Sequence, residues 1–319
     1  MTVNIKRPPY DPQVAATLAY MESHSPIPSV VPEMIPTLRS APAYVEDLDV
    51  FDVIREEVTI PGYEDADLAG TVFSASADGT GRVGILAVHG GGMILGDRLT
   101  GMSMVLPWVV EHDAVAVTVE YRLAPEFPDP VPVEDVYAAL VWMAEHATDL
   151  GIDPERIVII GASAGGGISA GVALLSRDRG GPALLGQLLV CPMLDDRDQT
   201  VSSRQFEGIG AWDRISNRTG WQSLLGERVG TNDVTIYAAP ARATDLSGLP
   251  PAFLDVGSAE VFRDEVVSYA SQIWADGGVA ELHVWPGGTH GWEAYASTGT
   301  MAGQSVAARS TWLARLLEP

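Results

Sequence analysis

Eight short strand-like runs alternate with helical patterns from Phe51 onward, and this alternation restricts the fold more than any other feature of the chain. The runs are Val53–Ile60, Leu68–Ala75, Val83–His89, Ala114–Glu120, Ile157–Gly161, Leu185–Cys191, Ala252–Val256 and Glu281–Trp285. Between them lie stretches at helical spacing, such as Val133, Val136, Tyr137, Leu140, Val141 and Ala144, closed by Gly151 and an Asp153-Pro154 turn. Further helices are expected after Ser163, over Arg263–Ala275 and from Ala302 onward. Short buried strands feeding helices predict an α/β fold: an eight-stranded, mostly parallel sheet covered on both faces, with ligands at the C-terminal ends of the strands.

Two segments break the pattern. Residues 1–50 are rich in proline, with short helical pieces at Pro12–Met21 and Pro32–Leu38, and read as an arm or lid beside a main domain over 51–319. An insertion over about 195–240, carrying Trp212 and Trp221, is expected above the face where ligands bind.

Charge and cysteine content exclude several functions. Lys+Arg 19 against Asp+Glu 42 leaves a net charge of −23, and the field of such a chain repels phosphate backbones and anionic lipid. Neither a nucleic-acid nor a membrane partner is expected. The uncharged stretch Ile157–Ser176 is long enough to span a bilayer, but its glycines and serines suit a strand, a tight turn and a buried helix instead. One cysteine, Cys191, cannot form an internal disulfide, and its apolar run reads as the setting of an inert core thiol. Met1–Tyr10 has no apolar run of the signal-peptide kind, which predicts a cytoplasmic protein.

The chemistry sits at three glycine-rich places. Gly161-Ala162-Ser163-Ala164-Gly165 follows an apolar strand directly and fits Gly-x-Ser-x-Gly, in which a sharp strand-to-helix turn exposes a nucleophilic serine to a helix N-terminus. Phosphate loops and plain packing turns can share that composition. His89-Gly90-Gly91-Gly92 ends another strand, and the amides of Gly91 and Gly92, with that of Ala164, could form an oxyanion hole. His290, in Pro286-Gly287-Gly288-Thr289-His290-Gly291-Trp292, follows the last strand and is the candidate base. His24, His112, His146 and His283 read as structural, and with no metal-ligand spacing and no carboxylates clustered about the histidines, no metal is expected. A carboxylate should complete the set between Ser163 and His290 in sequence. Asp255, Glu260 and Asp264 are the candidates, and Glu260, in a loop beyond Gly257, is preferred.

Taken in order, His89-Gly90-Gly91-Gly92, Tyr121-Arg122-Leu123-Ala124-Pro125-Glu126 and Gly161-Ala162-Ser163-Ala164-Gly165-Gly166 resemble the hormone-sensitive-lipase-like branch of the α/β-hydrolases, with its bacterial carboxylesterases and acetyl esterases, heroin-esterase-like enzymes among them. The resemblance runs from about Glu57 to the end. It implies the α/β-hydrolase fold with a helical lid built from the arm and the insertion. It also implies hydrolysis of short-acyl esters by Ser163, His290 and Glu260 through an acyl-enzyme, with no cofactor. The family's acidic segment, written Asp-Pro-Leu-Arg-Asp-Glu, matches Glu260-Val261-Phe262-Arg263-Asp264-Glu265, so glutamate stands where aspartate is usual. Ala162 and Met93 also depart from the usual residues. An open edge at Glu281–Trp285 would allow a homodimer. Amide or carbamate hydrolysis, and a non-catalytic small-molecule binder on the same fold, are the alternatives.

Overall fold

The computed structural model describes residues 5–24, 28–40 and 47–318. The parts of the proline-rich arm at 1–4, 25–27 and 41–46, including Pro26 and Pro42, lie outside the described residues.

The strands are β1 (Ile54–Pro61), β2 (Asp67–Ser74), β3 (Arg82–Val88), β4 (Val115–Val119), β5 (Ile152–Ala162), β6 (Gly186–Val190), β7 (Ala252–Gly257) and β8 (Ala280–Trp285). They form one sheet in the order β1-β2-β4-β3-β5-β6-β7-β8. The pairs β1/β2 and β2/β4 are antiparallel, and every later pair is parallel. All eight expected runs are strands, with ends shifted by a residue or so except at β5. That strand begins at Ile152 and so includes Asp153-Pro154, which the sequence reads as a turn. Its pairing with β3 jumps from Arg82↔Ile152 to Gly84↔Ile157. The residues between bulge out, and a bulge is where a sheet tolerates a proline that cannot donate to the ladder.

The helices are α1 (Pro12–His24), α2 (Ile35–Ser40), α3 (Met102–Glu111), α4 (Val131–Glu145), α5 (Ala147–Leu150), α6 (Ala164–Arg179), α7 (Val201–Gln205), α8 (Arg214–Leu225), α9 (Arg263–Ala275), α10 (Trp292–Tyr295) and α11 (Thr300–Leu317). The core is continuous through the sheet: Ile85, Leu86, Val117, Ile157, Ile159, Leu188, Leu189, Phe253 and Leu254 are sealed from solvent. Strands buried on both faces explain why these runs are apolar throughout instead of alternating.

Helix α6 shows why small residues follow Ser163. A methyl group at Gly165 would sit 2.1 Å from the Val88 carbonyl oxygen, and one at Gly167 2.0 Å from that of Met193. The helix therefore packs backbone to backbone against the ends of two strands, which only glycine permits. Among the described residues no helix is long and apolar enough to cross a membrane.

The arm and the insertion meet. Ser29 Oγ donates to Asp213 Oδ2 at 2.8 Å, the Val30 amide to Ser216 Oγ at 2.8 Å, and Gln205 Nε2 to the Lys6 carbonyl. Tyr10 lies against Phe206, with ring centroids 6.3 Å apart.

Candidate active site

Ser163 stands between the last residue of β5 and the first of α6 with φ 57° and ψ −121°, a strained backbone for a residue with a side chain. The flanking glycines are sterically required, because a methyl group at Gly161 would fall 2.2 Å from the Gly165 carbonyl oxygen. The turn is pinned by the Ser163 amide donating to the Val190 carbonyl at 2.8 Å and by the Met193 amide donating to the Ser163 carbonyl at 2.9 Å.

His290 arrives from the loop after β8. The Ser163 hydroxyl donates to its Nε2 at 2.9 Å, and its Nδ1–H donates to Glu260 Oε2 at 3.3 Å. Phe262 meets the imidazole edge-on at 5.1 Å and 78°. Glu260 is 1% exposed, and its second oxygen, Oε1, has no partner among the described residues.

The other two candidate acids are engaged elsewhere. Asp264 accepts from the Ser202 amide at 2.8 Å and from Arg263 Nε at 2.7 Å, on the side of α7. Asp255 accepts from Arg309 Nε at 2.9 Å and from Trp285 Nε1 at 3.0 Å. Glu260 alone of the three is bonded to His290. His24 and His146 stack on Tyr20 and Trp142 of their own turns, and His283 stacks between Phe253 and Trp285.

The glycine run of His89–Gly92 lies alongside Ser163. A methyl group at Gly90 would be 3.4 Å from Ser163 Cβ, and Gly91 and Gly92 have φ of 110° and 65°. Among the described residues the amides of Gly91, Gly92 and Ala164 have no backbone acceptor. Trp212, from the insertion, covers this run: its ring is 2.4 Å from where a Gly92 Cβ would stand. Met93 is buried at 1% exposure, so it packs into the core behind the run.

Burial lowers the pKa of His89 to about 4, so its ring is neutral. It stacks on Tyr121 at 4.1 Å, and the Tyr121 hydroxyl donates to the His89 carbonyl at 3.0 Å. Arg122, next in the second motif, makes a two-pronged pair with buried Asp135 through Nε at 2.9 Å and Nη2 at 2.8 Å. Arg39 of α2 ties the arm to the same region through the carbonyls of Ile94 and Ala124. Sequence reasoning assigned none of these side chains a task. The Tyr121–Glu126 motif was the available signal, and its work is to brace the glycine run.

The site's electrostatics follow from burial and proximity. Burial pushes the Glu260 carboxyl up, with His290 opposing the shift. Burial disfavours the His290 imidazolium, yet Cys191 and Glu260 beside it more than offset this and hold its pKa well above the ordinary histidine value. Burial also pushes the Cys191 thiol up, with His290 opposing the shift.

Cys191 is where the sequence reading fell short. It is buried as expected, but it stands one residue past β6 with φ 37°, and its amide donates to the Asp255 carbonyl at 2.7 Å. Donor atoms of Cys191, Glu260 and His290 lie within 4.8 Å of one another. Glu260 beside His290 was expected, but the thiol beside them was not, because residues far apart in sequence meet where β6, β7 and β8 end.

The family model for the alpha/beta hydrolase fold matches residues 85–294. The chain belongs to this family. Its place in the hormone-sensitive-lipase-like branch agrees with the motif order. It is similar to the esterase LipI of Mycobacterium tuberculosis, with 36% identity over 66% of this chain and 66% of LipI. It is also similar to the carboxylesterase NlhH of the same organism, with 38% identity over 66% of this chain and 67% of the relative. Among solved structures, a bacterial heroin esterase superposes with a TM-score of 0.89 at 35% identity, covering 97% of this chain and 98% of that one. The fold and these named relatives support a carboxylic ester hydrolase.

Proposed function

We propose that the chain is a serine carboxylesterase for short-acyl esters, working through Ser163, His290 and Glu260. The observation that carries this reading is the position of His290, with Nε2 2.9 Å from Ser163 Oγ and Nδ1 3.3 Å from Glu260 Oε2. In that arrangement Ser163 Oγ attacks the ester carbonyl carbon while its proton passes to His290 Nε2. The carbonyl oxygen becomes an oxyanion, held by the amides of Gly91, Gly92 and Ala164. As the carbon–oxygen bond to the alcohol breaks, the imidazolium returns the proton to the leaving oxygen and an acyl-serine remains. Water, deprotonated by the same Nε2, then attacks the acyl carbon, and protonation of Ser163 Oγ restores the enzyme and releases the acid. Glu260 keeps the hydrogen on Nδ1 throughout, so Nε2 offers its lone pair.

A short acyl chain is favoured because Trp212 covers the glycine run where the acyl side would extend. The arm and the insertion, joined through Ser29, Val30 and Gln205, form the lid in this reading. The partner is a small-molecule ester, and two copies would pair along β8, which a light-scattering mass tests.

Initial rates on p-nitrophenyl esters from acetate to dodecanoate, beside Ser163→Ala, test the reading. A steep fall beyond the short chains, with turnover lost in the variant by about 10⁴–10⁶-fold, is expected. Turnover that survives in Ser163→Ala refutes it. Failure of a fluorophosphonate to label Ser163 would instead favour a non-catalytic binder.

A further inference from the structure

The thiol beside the candidate base is the feature that ester hydrolysis does not use. Cys191 takes no part in the proton path, yet it stands with Glu260 and His290 in a group whose donor atoms all lie within 4.8 Å. Its backbone has the left-handed φ of 37° as the chain leaves β6. Glu260 Oε1 is buried and has no hydrogen-bond partner among the described residues, a vacant acceptor in a place where such atoms are normally satisfied.

Thiolate, imidazole and carboxylate are together the ligand types that zinc and its softer congener cadmium select. Two anionic ligands and one neutral ligand around a divalent ion leave no net charge, which suits a site as closed as this one. Zinc bonds are about 2.3 Å to sulfur and about 2.0–2.2 Å to nitrogen and oxygen, so the three donors need to draw together by about 1 Å. The change falls on side chains at the ends of strands.

We propose that Cys191, Glu260 and His290 bind one zinc-type divalent cation, and that the bound ion turns the hydrolase off reversibly. Glu260 faces Nδ1 of the imidazole and Ser163 faces Nε2, so an ion shared with Glu260 takes the Nδ1 lone pair. The neutral ring must then carry its hydrogen on Nε2. In that tautomer the ring donates to Ser163 Oγ and cannot accept its proton. Starting from the neutral ring, the thiol loses one proton to solvent as the sulfur–metal bond forms, and the imidazole keeps its single hydrogen, moved from Nδ1 to Nε2; an imidazolium releases one further proton. A chelator reverses both changes.

The binding half of this proposal stands by itself, and the switching half rests on His290 being the base of the proposed function. The experiment therefore reads the two separately, on the full chain. Equilibrium dialysis against zinc or cadmium chloride, in wild type and in Ser163→Ala, should retain one ion per chain with the same affinity. The cadmium complex should show the ultraviolet thiolate-to-metal absorption, which carboxylates do not give. Ester turnover of the wild type should fall at least tenfold as the site fills and recover with EDTA. Cys191→Ser and Cys191→Ala should weaken retention at least tenfold and abolish the absorption band. No retained ion, no thiolate band, or equal retention by the two cysteine variants would overturn the site and assign any uptake to surface carboxylates. Stoichiometric binding with undiminished turnover would overturn the switch. Full turnover by Ser163→Ala would refute the proposed function and leave the ion measurements to stand or fall independently.

Discussion

Arg309 Nη2 lies 2.7 Å from Asp255 Oδ2, and both side chains are sealed from solvent. The same guanidinium bonds Glu293, in the turn just past His290, at 2.5 Å, and lies 5.7 Å from the Trp292 ring. A cation on α11 thus fastens the end of β7 to the loop that carries the imidazole. Arg309→Met removes that cation and leaves Asp255 buried without its countercharge. It should cost about 3–5 kcal/mol of stability, read from urea unfolding. A loss below about 1 kcal/mol would mean that water reaches Asp255 in the variant.

Glu260 and Asp264 separate on kinetics. Glu260→Gln keeps the shape of the side chain but cannot favour the imidazolium, and kcat should drop by about 10⁴-fold. Asp264→Asn, whose carboxylate bonds Ser202 and Arg263, should change kcat less than about tenfold. The opposite ranking would move the role to Asp264.

The pH dependence has a definite sign. In the proposed mechanism His290 accepts the Ser163 proton only when its ring is neutral, and the ring is protonated below its pKa. That pKa is raised above the ordinary 6.5, so kcat/KM should climb with rising pH through an inflection above 6.5. In Glu260→Gln the residual activity should inflect at lower pH, because a group that raises the imidazole has gone. A wild-type profile flat from about pH 5 to 9 would remove His290 as the base.

Gly92→Ala places a methyl group 2.4 Å from the Trp212 ring at a φ of 65° that alanine resists. Turnover should fall by about 10²–10³-fold, the usual cost of an oxyanion donor, with KM changed less. Trp212→Ala should act differently, widening the range of acyl lengths accepted while leaving acetate turnover within about tenfold. Rates across the same ester series distinguish the two outcomes.

Much of this architecture was legible because inner strands covered on both faces must be largely apolar along their length, as β3, β4, β6 and β7 are, while the outer β1 and β8 carry charged residues yet still read as strands. Ser163, Gly91, Gly92 and His290 were legible for a related reason: each sits in a glycine-rich turn at a strand end, where sterics dictate composition. The bulge in β5 was hidden because Asp-Pro is a turn signal, and only the partner strand shows that pairing resumes beyond it. Arg309 resembled any arginine on a half-exposed helix, since its value depends on Asp255 and Glu293 reaching it in space. Cys191 was hidden in the same way. An apolar run ending in cysteine looks identical whether the thiol faces the core or an imidazole, and one residue of backbone rotation decides which.

The bonds from Ser29 to Asp213 and from Val30 to Ser216 join residues 184 and 186 positions apart. During synthesis the arm therefore leaves the ribosome long before its partners exist. Contacts of such separation form late, after the local strand and helix pairs have collapsed. In the proposed reading the arm and the insertion roof Ser163, so the sheet can be complete while that roof is still unassembled. A freshly made chain should accordingly pass through a compact species with an uncovered serine, able to react with bulky reagents that the finished protein turns away.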